Sequence, residues 1–316
     1  MPNIATVNGI DENNIATHNG GTASLYNGRN GDTWVHYTPM VATGGNTHVQ
    51  DGSTDYKVAT FTEDGSFVIT TLGDDAIIEY LVIAGGGGGN HPQGAGGGAG
   101  GYRTGTSFAV TAVTYAIDVG QGGAREGYNG ENSSIAHASI TDIVSTGGGA
   151  GGSLNGGADY ANTGGSGGGG AGDTSQFYGA AGNTPSTSPA QGYAGGNGHA
   201  GSPYPSGGGG GASEVGDAGN TVSGQGGDGG DGVSSSITGS PVTRAGGGGG
   251  GGYLSYSPAG GAGGAGGGGY GRHGSANQSA ENGDANTGGG GGGLGGGTGL
   301  SGNGGSGVVI IRYKFQ

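Results

Sequence analysis

The chain has 316 residues and a formal net charge of −14, and 94 of its residues are glycine. Apolar residues make up 30% and charged residues 9%, too few for two ordinary cores and too few for a charge-extended disordered chain. The 8 Lys and Arg residues offer no basic surface for nucleic acid or anionic lipid, and the absence of cysteine excludes disulfides. We expect no secretory signal and no membrane span, because neither a basic-then-apolar N-terminus nor a run of about 18 apolar residues occurs.

Residues 1–54 are predicted to form an attachment or oligomerisation segment. The motif IATVNG at residues 4–9 recurs as IATHNG at residues 15–20, a spacing of 11 residues. Asn-Gly favours tight turns because both residues tolerate positive φ. Each unit is too small to bury anything alone and needs a partner surface or another copy of the chain; a loose N-terminus is the alternative. The predicted attachment residues are Ile4, Asn8, Gly9, Ile15, Asn19 and Gly20.

Residues 55–145 are predicted to form a β-rich base, because β-branched and aromatic residues alternate with turn signals. The first predicted strands cover residues 56–62, 66–72 and 76–84. Residues 107–119 contain a further long strand signal, in which Tyr115, Ile117 and Val119 alternate with Ala116 and Asp118, and residues 135–144 indicate a weaker pair. The next strand-like stretch is the C-terminal apolar segment, so we expect residues 307–315 to return and complete the sheet. Almost no α-helix is expected, since no apolar stripe of helical period occurs.

Glycine tracts dominate residues 146–306, and the first tract already begins at Gly85. Ordering 94 glycines costs on the order of 100–200 kcal/mol of backbone entropy. The tracts are therefore either disordered or packed together as extended left-handed helices, whose backbone groups all face outward. Without Cβ atoms such helices approach closely and share N–H···O and Cα–H···O bonds. We predict an ordered bundle of polyglycine-II helices with surface loops; collagen is excluded because a Gly-X-Y period is missing.

The sequence shows no strong catalytic or metal-binding pattern. Residues 226–233 (GGDGGDGV) match one copy of a calcium-binding repeat whose fold needs stacked copies. The seven histidines are scattered without metal-ligand spacing. A glycosidase needs two carboxylates held across a cleft, which the sequence neither shows nor excludes. We expect a protein without enzymatic activity, cofactor or metal.

The inserts between the tracts carry aromatic residues beside Ser, Asn and Pro. Tyrosines on rigid loops supply a large contact area at little entropic cost, which favours a recognition surface. The alternative is that each tyrosine seals an edge of the bundle. The residues predicted to bind a receptor are Phe177, Tyr178, Tyr204, Tyr253 and Tyr256.

Four stretches resemble the glycine-rich adhesins and tail-fibre proteins of tailed bacteriophages. They are EYLVIAGGGGG (79–89), GAGGYRTG (98–105), YAIDVGQGG (115–123) and GGSGVVIIRY (304–313). The N-terminal repeats also resemble repeats of phage virion proteins. The resemblance implies a sandwich of polyglycine-II helices whose connecting loops form a distal surface that binds a host receptor.

These observations predict a bacteriophage virion protein, a distal tail-fibre or adhesin subunit that binds a host glycan or outer-membrane protein. The expected partners are other tail or fibre proteins, through the N-terminus, and the host receptor; nucleic acid and membrane insertion are not expected. Attachment to a fibre suggests a homotrimer by analogy. The protein is expected in the virion, after synthesis in the host cytoplasm and release by lysis. The alternatives are a purely structural fibre or decoration protein and an ice-binding protein, against which the bulky inserts argue.

Overall fold

The computed structural model describes residues 37–50, 55–154, 160–175, 177–253, 260–274 and 278–316, together with the backbone of short strands in the first 36 residues. These residues form 20 β-strands and no helix. The mainly β fold predicted from the sequence is therefore confirmed. The described chain has three parts, namely N-terminal hairpins, a β-sandwich and a bundle of glycine tracts.

Three antiparallel hairpins come first in the chain. They are β1 (Thr6–Val7) with β2 (Ile10–Asp11), β3 (Thr17–His18) with β4 (Gly21–Thr22), and β5 (Tyr26–Asn30) with β6 (Thr33–His36). Val7 pairs with Ile10 and His18 pairs with Gly21, so two residues separate the paired positions. The attachment residues predicted above all lie outside the described residues, and their role stays a prediction: Ile4, Asn8, Gly9, Ile15, Asn19 and Gly20.

The remaining strands build two large sheets and two small ones. In chain order they are β7 (Val41–Thr43), β8 (Asn46–Val49), β9 (Tyr56–Phe61), β10 (Gly65–Thr71), β11 (Ile77–Ile83), β12 (Tyr102–Ala109), β13 (Thr114–Asp118), β14 (Ser133–Ala136), β15 (Ile143–Ser145), β16 (Val233–Ser235), β17 (Val242–Arg244), β18 (Arg272–Gly274), β19 (Leu294–Gly297) and β20 (Val308–Lys314). The two five-stranded sheets have the orders β15-β14-β13-β10-β7 and β12-β11-β20-β9-β8. β16 pairs with β17 and β18 pairs with β19 inside the glycine-rich region.

The C-terminal strand β20 lies in the middle of the second sheet, antiparallel to both β11 and β9. β7 and β8 belong to the large sheets although they fall within the predicted N-terminal segment 1–54. The strand signal within residues 107–119 corresponds to β13, which begins at Thr114, whereas residues 107–109 belong to β12, which ends at Ala109. The chain turns there to change sheets, since β12 and β13 belong to different layers of the sandwich.

The strands β11 and β20 are buried on both faces. Side chains alternate between the two faces of a strand, so one set from each strand packs between the sheets and the other set faces the bundle. Tyr313 of β20 contacts Phe67 of the opposite sheet edge-to-face, with ring centroids 5.6 Å apart. On the other face, Leu81 and Ile310 pack in one buried cluster with alanines 99, 212 and 245 of the glycine tracts. This double burial explains why both strands read as nearly continuous apolar runs.

Each glycine tract hydrogen-bonds to a given neighbour at every third residue. The amides of Ala84, Gly87 and Asn90 donate to the carbonyl oxygens of Gly101, Gly98 and Ala95, at 3.1, 2.8 and 3.2 Å. The donors advance by three residues while the acceptors retreat by three, so the two tracts are antiparallel. A period of three is that of the polyproline-II helix, which makes no internal hydrogen bonds. The tracts therefore pack as polyglycine-II helices.

The tract of residues 94–101, which we call the central tract, contacts six other tracts. Its amides donate to tracts 146–152, 207–210 and 288–291. Its carbonyl groups accept from tracts 84–90, 166–169 and 248–251. Six neighbours around one rod is hexagonal packing, and three donating and three accepting faces follow from three residues per turn. This network gives a hydrogen-bond partner to backbone N–H and C=O groups that would otherwise be buried between the tracts without one.

Asn and Asp side chains complete the network at the outer tracts. Asn129 and Asn132 accept hydrogen bonds from the amides of Ala150 and Gly147, both at 2.9 Å. Asn197 accepts from the amide of Gly179 at 3.0 Å. Such a side-chain oxygen takes the place of a neighbouring tract's carbonyl group where no further tract follows. The three-residue spacing of Asn129 and Asn132 keeps both on one face of the helix.

Candidate functional site

The bundle has one end at the sandwich and one end made of loops. Strands and tracts join at Ile83, Tyr102, Asp118, Ser133, Ser145 and Val308. Because successive tracts reverse direction, all these junctions lie at the same end. The opposite end, which we call the distal end, consists of the connections 91–93, 125–127, 173–175, 200–203, 220–224 and 295–298, with residues 154, 160, 177, 178, 204, 253 and 272–274 beside them.

The connections of the distal end are hydrogen-bonded to one another. The amide of Gln93 donates to Gly295 at 3.2 Å, and the amide of Gly201 donates to Asp173 at 2.7 Å. The amide of Tyr253 donates to Gly224 at 3.1 Å. These described loops are therefore joined in pairs, and the tracts beneath hold the pairs beside one another.

The first aromatic pair of this surface is Tyr160 with Phe177. Their ring centroids lie 5.7 Å apart at an interplanar angle of 65°. Edge-to-face contacts of this kind are favourable, because the positive ring edge meets the negative ring face. Tyr160 is 74% exposed, and the neighbouring Tyr178 is 68% exposed. Large exposed rings held in fixed positions are typical of binding surfaces.

The second aromatic pair is Tyr204 with Tyr253, whose ring centroids lie 5.5 Å apart at 72°. Tyr204 has a φ of 55°, which is rare for an aromatic residue and costs about 1–2 kcal/mol. The amide of Tyr204 donates to the carbonyl oxygen of Gly201 at 2.9 Å, which closes the turn. A non-glycine residue keeps this conformation only where its surroundings fix it, so the turn and the contact with Tyr253 hold Tyr204 in place.

Four of the five residues predicted to bind a receptor lie at the distal end, and they are Phe177, Tyr178, Tyr204 and Tyr253. Tyr256 lies outside the described residues. The sequence prediction omitted Tyr160, although its position in an insert between tracts was the same signal that selected Phe177. Tyr193 is also exposed, but its amide donates to Gly211 at 3.0 Å beside the sandwich, so it lies away from the distal end.

The pole of the sandwich opposite the bundle receives the chain from the N-terminal hairpins. The hydroxyl of Tyr37 donates to Asp75 at 2.9 Å, and the Lys314 ammonium lies 4.7 Å from the centroid of the Tyr37 ring. Lys314 ends β20, whose first residue, Val308, adjoins the bundle. Burial, and next the hydrogen bond to Asp75, raise the pKa of Tyr37 well above its ordinary value. Residue 37 and the distal end therefore lie at opposite poles.

The aspartates of the calcium-like motif bind backbone amides. Asp228 accepts from Ala262 at 2.6 Å, and Asp231 accepts from Ala265 at 2.8 Å. Donors and acceptors are both three residues apart, so these side chains join two tracts as Asn129 and Asn132 do. Within the described ranges no three His, Asp or Glu side chains are grouped as metal ligands. In the same part of the chain no helix is long and apolar enough to cross a membrane.

The match to a family covers most of the chain. Residues 61–314 match the model of a glycine-rich domain. The chain belongs to the glycine-rich domain family. The match runs from the last residue of β9 to the end of β20, so it covers the bundle and the strands from β10 onward, whereas β7 and β8 lie outside it. A search of curated proteins found no match.

Proposed function

We propose that this glycine-rich protein is a bacteriophage virion protein, a distal tail-fibre or adhesin subunit, whose distal end binds a receptor on the host cell. The observation that carries the proposal is polarity: the aromatic loops lie at one pole, and Tyr37 receives the N-terminal hairpins at the other. An adhesin needs this separation, because its attachment to the particle must leave the binding surface free to face the cell. The resemblance of residues 79–89 and 304–313 to phage adhesins supports the same function.

In this proposal the two poles have different partners. The N-terminal hairpins bind other tail or fibre proteins, in a homotrimer if the threefold symmetry of fibres extends to this subunit. The distal loops bind a surface glycan or an outer-membrane protein without catalysing a reaction. The protein is made in the host cytoplasm, released by lysis and carried in the virion.

The bundle favours binding by the loops because it fixes them in advance. Ordering a loop on binding costs about 0.5–1.5 kcal/mol for each immobilised side chain. Here the tracts on both sides of each loop are hydrogen-bonded to their neighbours. The two rings of each aromatic pair are also already in contact before a ligand binds. Less of the interaction energy is therefore lost to ordering.

Binding of fluorescently labelled protein to a panel of bacterial strains tests the proposal. We expect saturable binding to at least one strain. The double variant Tyr204→Ala, Tyr253→Ala should bind that strain at least tenfold more weakly, because aromatic hot-spot residues contribute about 2 kcal/mol or more each. The control is Tyr193→Ala, which removes an exposed tyrosine beside the sandwich and should bind as the unmodified protein does.

Two results would contradict the proposal. One is a protein that binds no strain of the panel, which would favour a purely structural fibre or decoration protein. The other is binding that the double variant leaves unchanged, which would place the binding surface elsewhere. Thermal unfolding of both variants shows whether a loss of binding comes from a loss of fold.

A further inference from the structure

The described part of the distal end carries no net formal charge, although the whole chain carries −14. Its charged side chains are Arg125, Glu126, Asp173 and Arg272. The guanidinium of Arg272 already binds Glu281 at 2.8 Å. Phosphate, sulfate and carboxylate ligands are bound by clusters of Arg and Lys, which the described loops do not present. The surface therefore suits an uncharged ligand.

From this surface we infer that the distal end binds an uncharged saccharide; the inference rests on the proposed function and names its ligand class. A pyranose ring has an apolar C–H face and a rim of hydroxyl groups. Aromatic rings pack against the apolar face, and the amphipathic tyrosine adds a hydroxyl at its edge. Tyr160 offers such a ring, because it is 74% exposed and touches Phe177 in an edge-to-face contact that does not cover both of its faces.

The two aromatic pairs flank the end of one tract. A Cβ at Gly170 would overlap the carbonyl oxygen of Phe177, and a Cβ at Gly172 would overlap that of Tyr204. Phe177 and Tyr204 therefore lie against the same tract, two residues apart along it. Positions two residues apart on a helix of three residues per turn face different neighbours, so the two aromatic pairs emerge on different sides of one tract end. A ligand with successive sugar units suits this arrangement, because it can contact both pairs.

Neutral polar groups lie on the connections that adjoin the aromatic pairs, and they match the hydroxyl rim of a sugar. The exposed hydroxyl side chains of the distal connections include Thr174, Ser175, Ser202, Thr221 and Ser223. Hydroxyl groups both donate and accept hydrogen bonds, as saccharide hydroxyls do. Aromatic faces and neutral hydroxyls together are the chemistry that an uncharged saccharide requires.

The test uses a strain that binds the unmodified protein. One sample of cells is treated with periodate, which cleaves vicinal diols of saccharides, and a second with a protease that strips surface proteins. We expect periodate to weaken binding at least tenfold and protease to change it less than about twofold. Raising NaCl from about 50 to about 500 mM should change the apparent Kd less than about twofold, because salt screens only charge interactions.

Binding that survives periodate would overturn the inference in favour of a protein receptor. Binding that weakens more than about tenfold with salt would overturn it in favour of a charged ligand. Either result leaves the proposed adhesin function intact, whereas binding to no strain at all would reject that function itself.

Substitutions at Tyr160 separate stacking from hydrogen bonding. Tyr160→Phe keeps the ring face and should bind within about threefold of the unmodified protein, whereas Tyr160→Ala should bind at least tenfold more weakly. Tyr193→Ala is again the control for an exposed tyrosine outside the distal end. Equal losses in Tyr160→Phe and Tyr160→Ala would contradict stacking on a sugar face.

Discussion

Glycine is required at single positions of the bundle because a methyl group would overlap a neighbouring carbonyl oxygen. In the central tract, a Cβ at Gly97 would overlap the oxygen of Gly87, and the tract has neighbours on every side that prevent it from moving away. At Gly65 of the sandwich, the nearest atom to an added Cβ is a ring carbon of Phe61 at 3.3 Å, which can shift slightly. The same Gly→Ala substitution should therefore destabilise the protein more at Gly97 than at Gly65.

Gly97→Ala should lower the free energy of unfolding by about 3 kcal/mol or more, at or above the upper end for overpacked cores. Gly65→Ala should change it by no more than about 1 kcal/mol, because the cost of the contact is offset by the reduced entropy of the unfolded chain. Urea unfolding of both variants measures the difference. Equal destabilisation of the two variants would contradict close packing of the tracts.

Two buried tyrosines make the sandwich sensitive to alkali. Burial raises the pKa of both Tyr37 and Tyr313, and the hydrogen bond to Asp75 raises that of Tyr37 further. The folded state favours their neutral forms, so the stability they contribute is complete below about pH 10, the ordinary tyrosine pKa. It is lost as pH rises through their folded-state pKa values, because the unfolded chain ionises first.

The free energy of unfolding should therefore fall as pH rises above about 10, and the double variant Tyr37→Phe, Tyr313→Phe should show a smaller fall. Tyr178→Phe, at an exposed position, serves as the control and should follow the unmodified protein. Urea unfolding at three pH values measures these slopes. The same slope in all three proteins would contradict this assignment.

At the scale of single elements, Asp228 and Asp231 join their tract to the tract of Ala262 and Ala265. Asp228→Asn keeps a side-chain oxygen, so its free energy of unfolding should lie within about 0.5 kcal/mol of that of the unmodified protein. Asp228→Ala leaves the Ala262 amide without its acceptor and should cost about 1–2 kcal/mol. Calcium should not change the thermal midpoint of the unmodified protein or of Asp228→Ala. If calcium markedly raised the midpoint of the unmodified protein and Asp228→Ala abolished that rise, the result would instead support a calcium site.

The sequence predicted where the strands lie in the chain better than it predicted which strands and tracts pack next to one another. Richness in β-branched and aromatic residues between turn signals located β9, β10 and β11 to within a residue or two, because such residues fill the buried faces of strands. It missed β7 and β8, short edge strands with little apolar pattern. Glycine tracts are interchangeable in sequence, so nothing in residues 94–101 indicates which six tracts surround them.

The candidate site could be predicted only in part, because the sequence does not indicate which tracts are neighbours. Inserts between tracts must emerge at an end of the bundle, so the aromatic residues in them could be selected from the sequence. Ring contacts such as Tyr204 with Tyr253 join separate connections. Such contacts depend on how the tracts pack, which side-chain patterns do not encode. The three-residue spacing of Asn129 and Asn132 is a sequence signal for an outer tract, because it places both side chains on one face.

At the scale of the whole molecule, the fold depends on its last strand. β20 is bonded on both sides, by β11 and β9, and its side chains enter the sandwich core and the contact with the bundle. A chain that ends at residue 307 should therefore fail to fold and show no cooperative thermal transition. A chain that begins at residue 37 retains both sheets and serves as the control. Cooperative unfolding of the C-terminally shortened chain would contradict the central role of β20.

Tethering the protein to a surface tests the polarity of the molecule most directly. The chain has no cysteine, so one introduced cysteine defines the point of attachment to a surface. Ala112 lies on the exposed turn between β12 and β13, at the pole opposite the bundle, and is replaced in Ala112→Cys. Val222 lies at the distal end, is 92% exposed, and is replaced in Val222→Cys. Surfaces coated through Ala112→Cys should capture cells of a binding strain, and surfaces coated through Val222→Cys should capture at least tenfold fewer. Equal capture, or more capture by the protein tethered through Val222→Cys, would contradict a binding surface at the distal end.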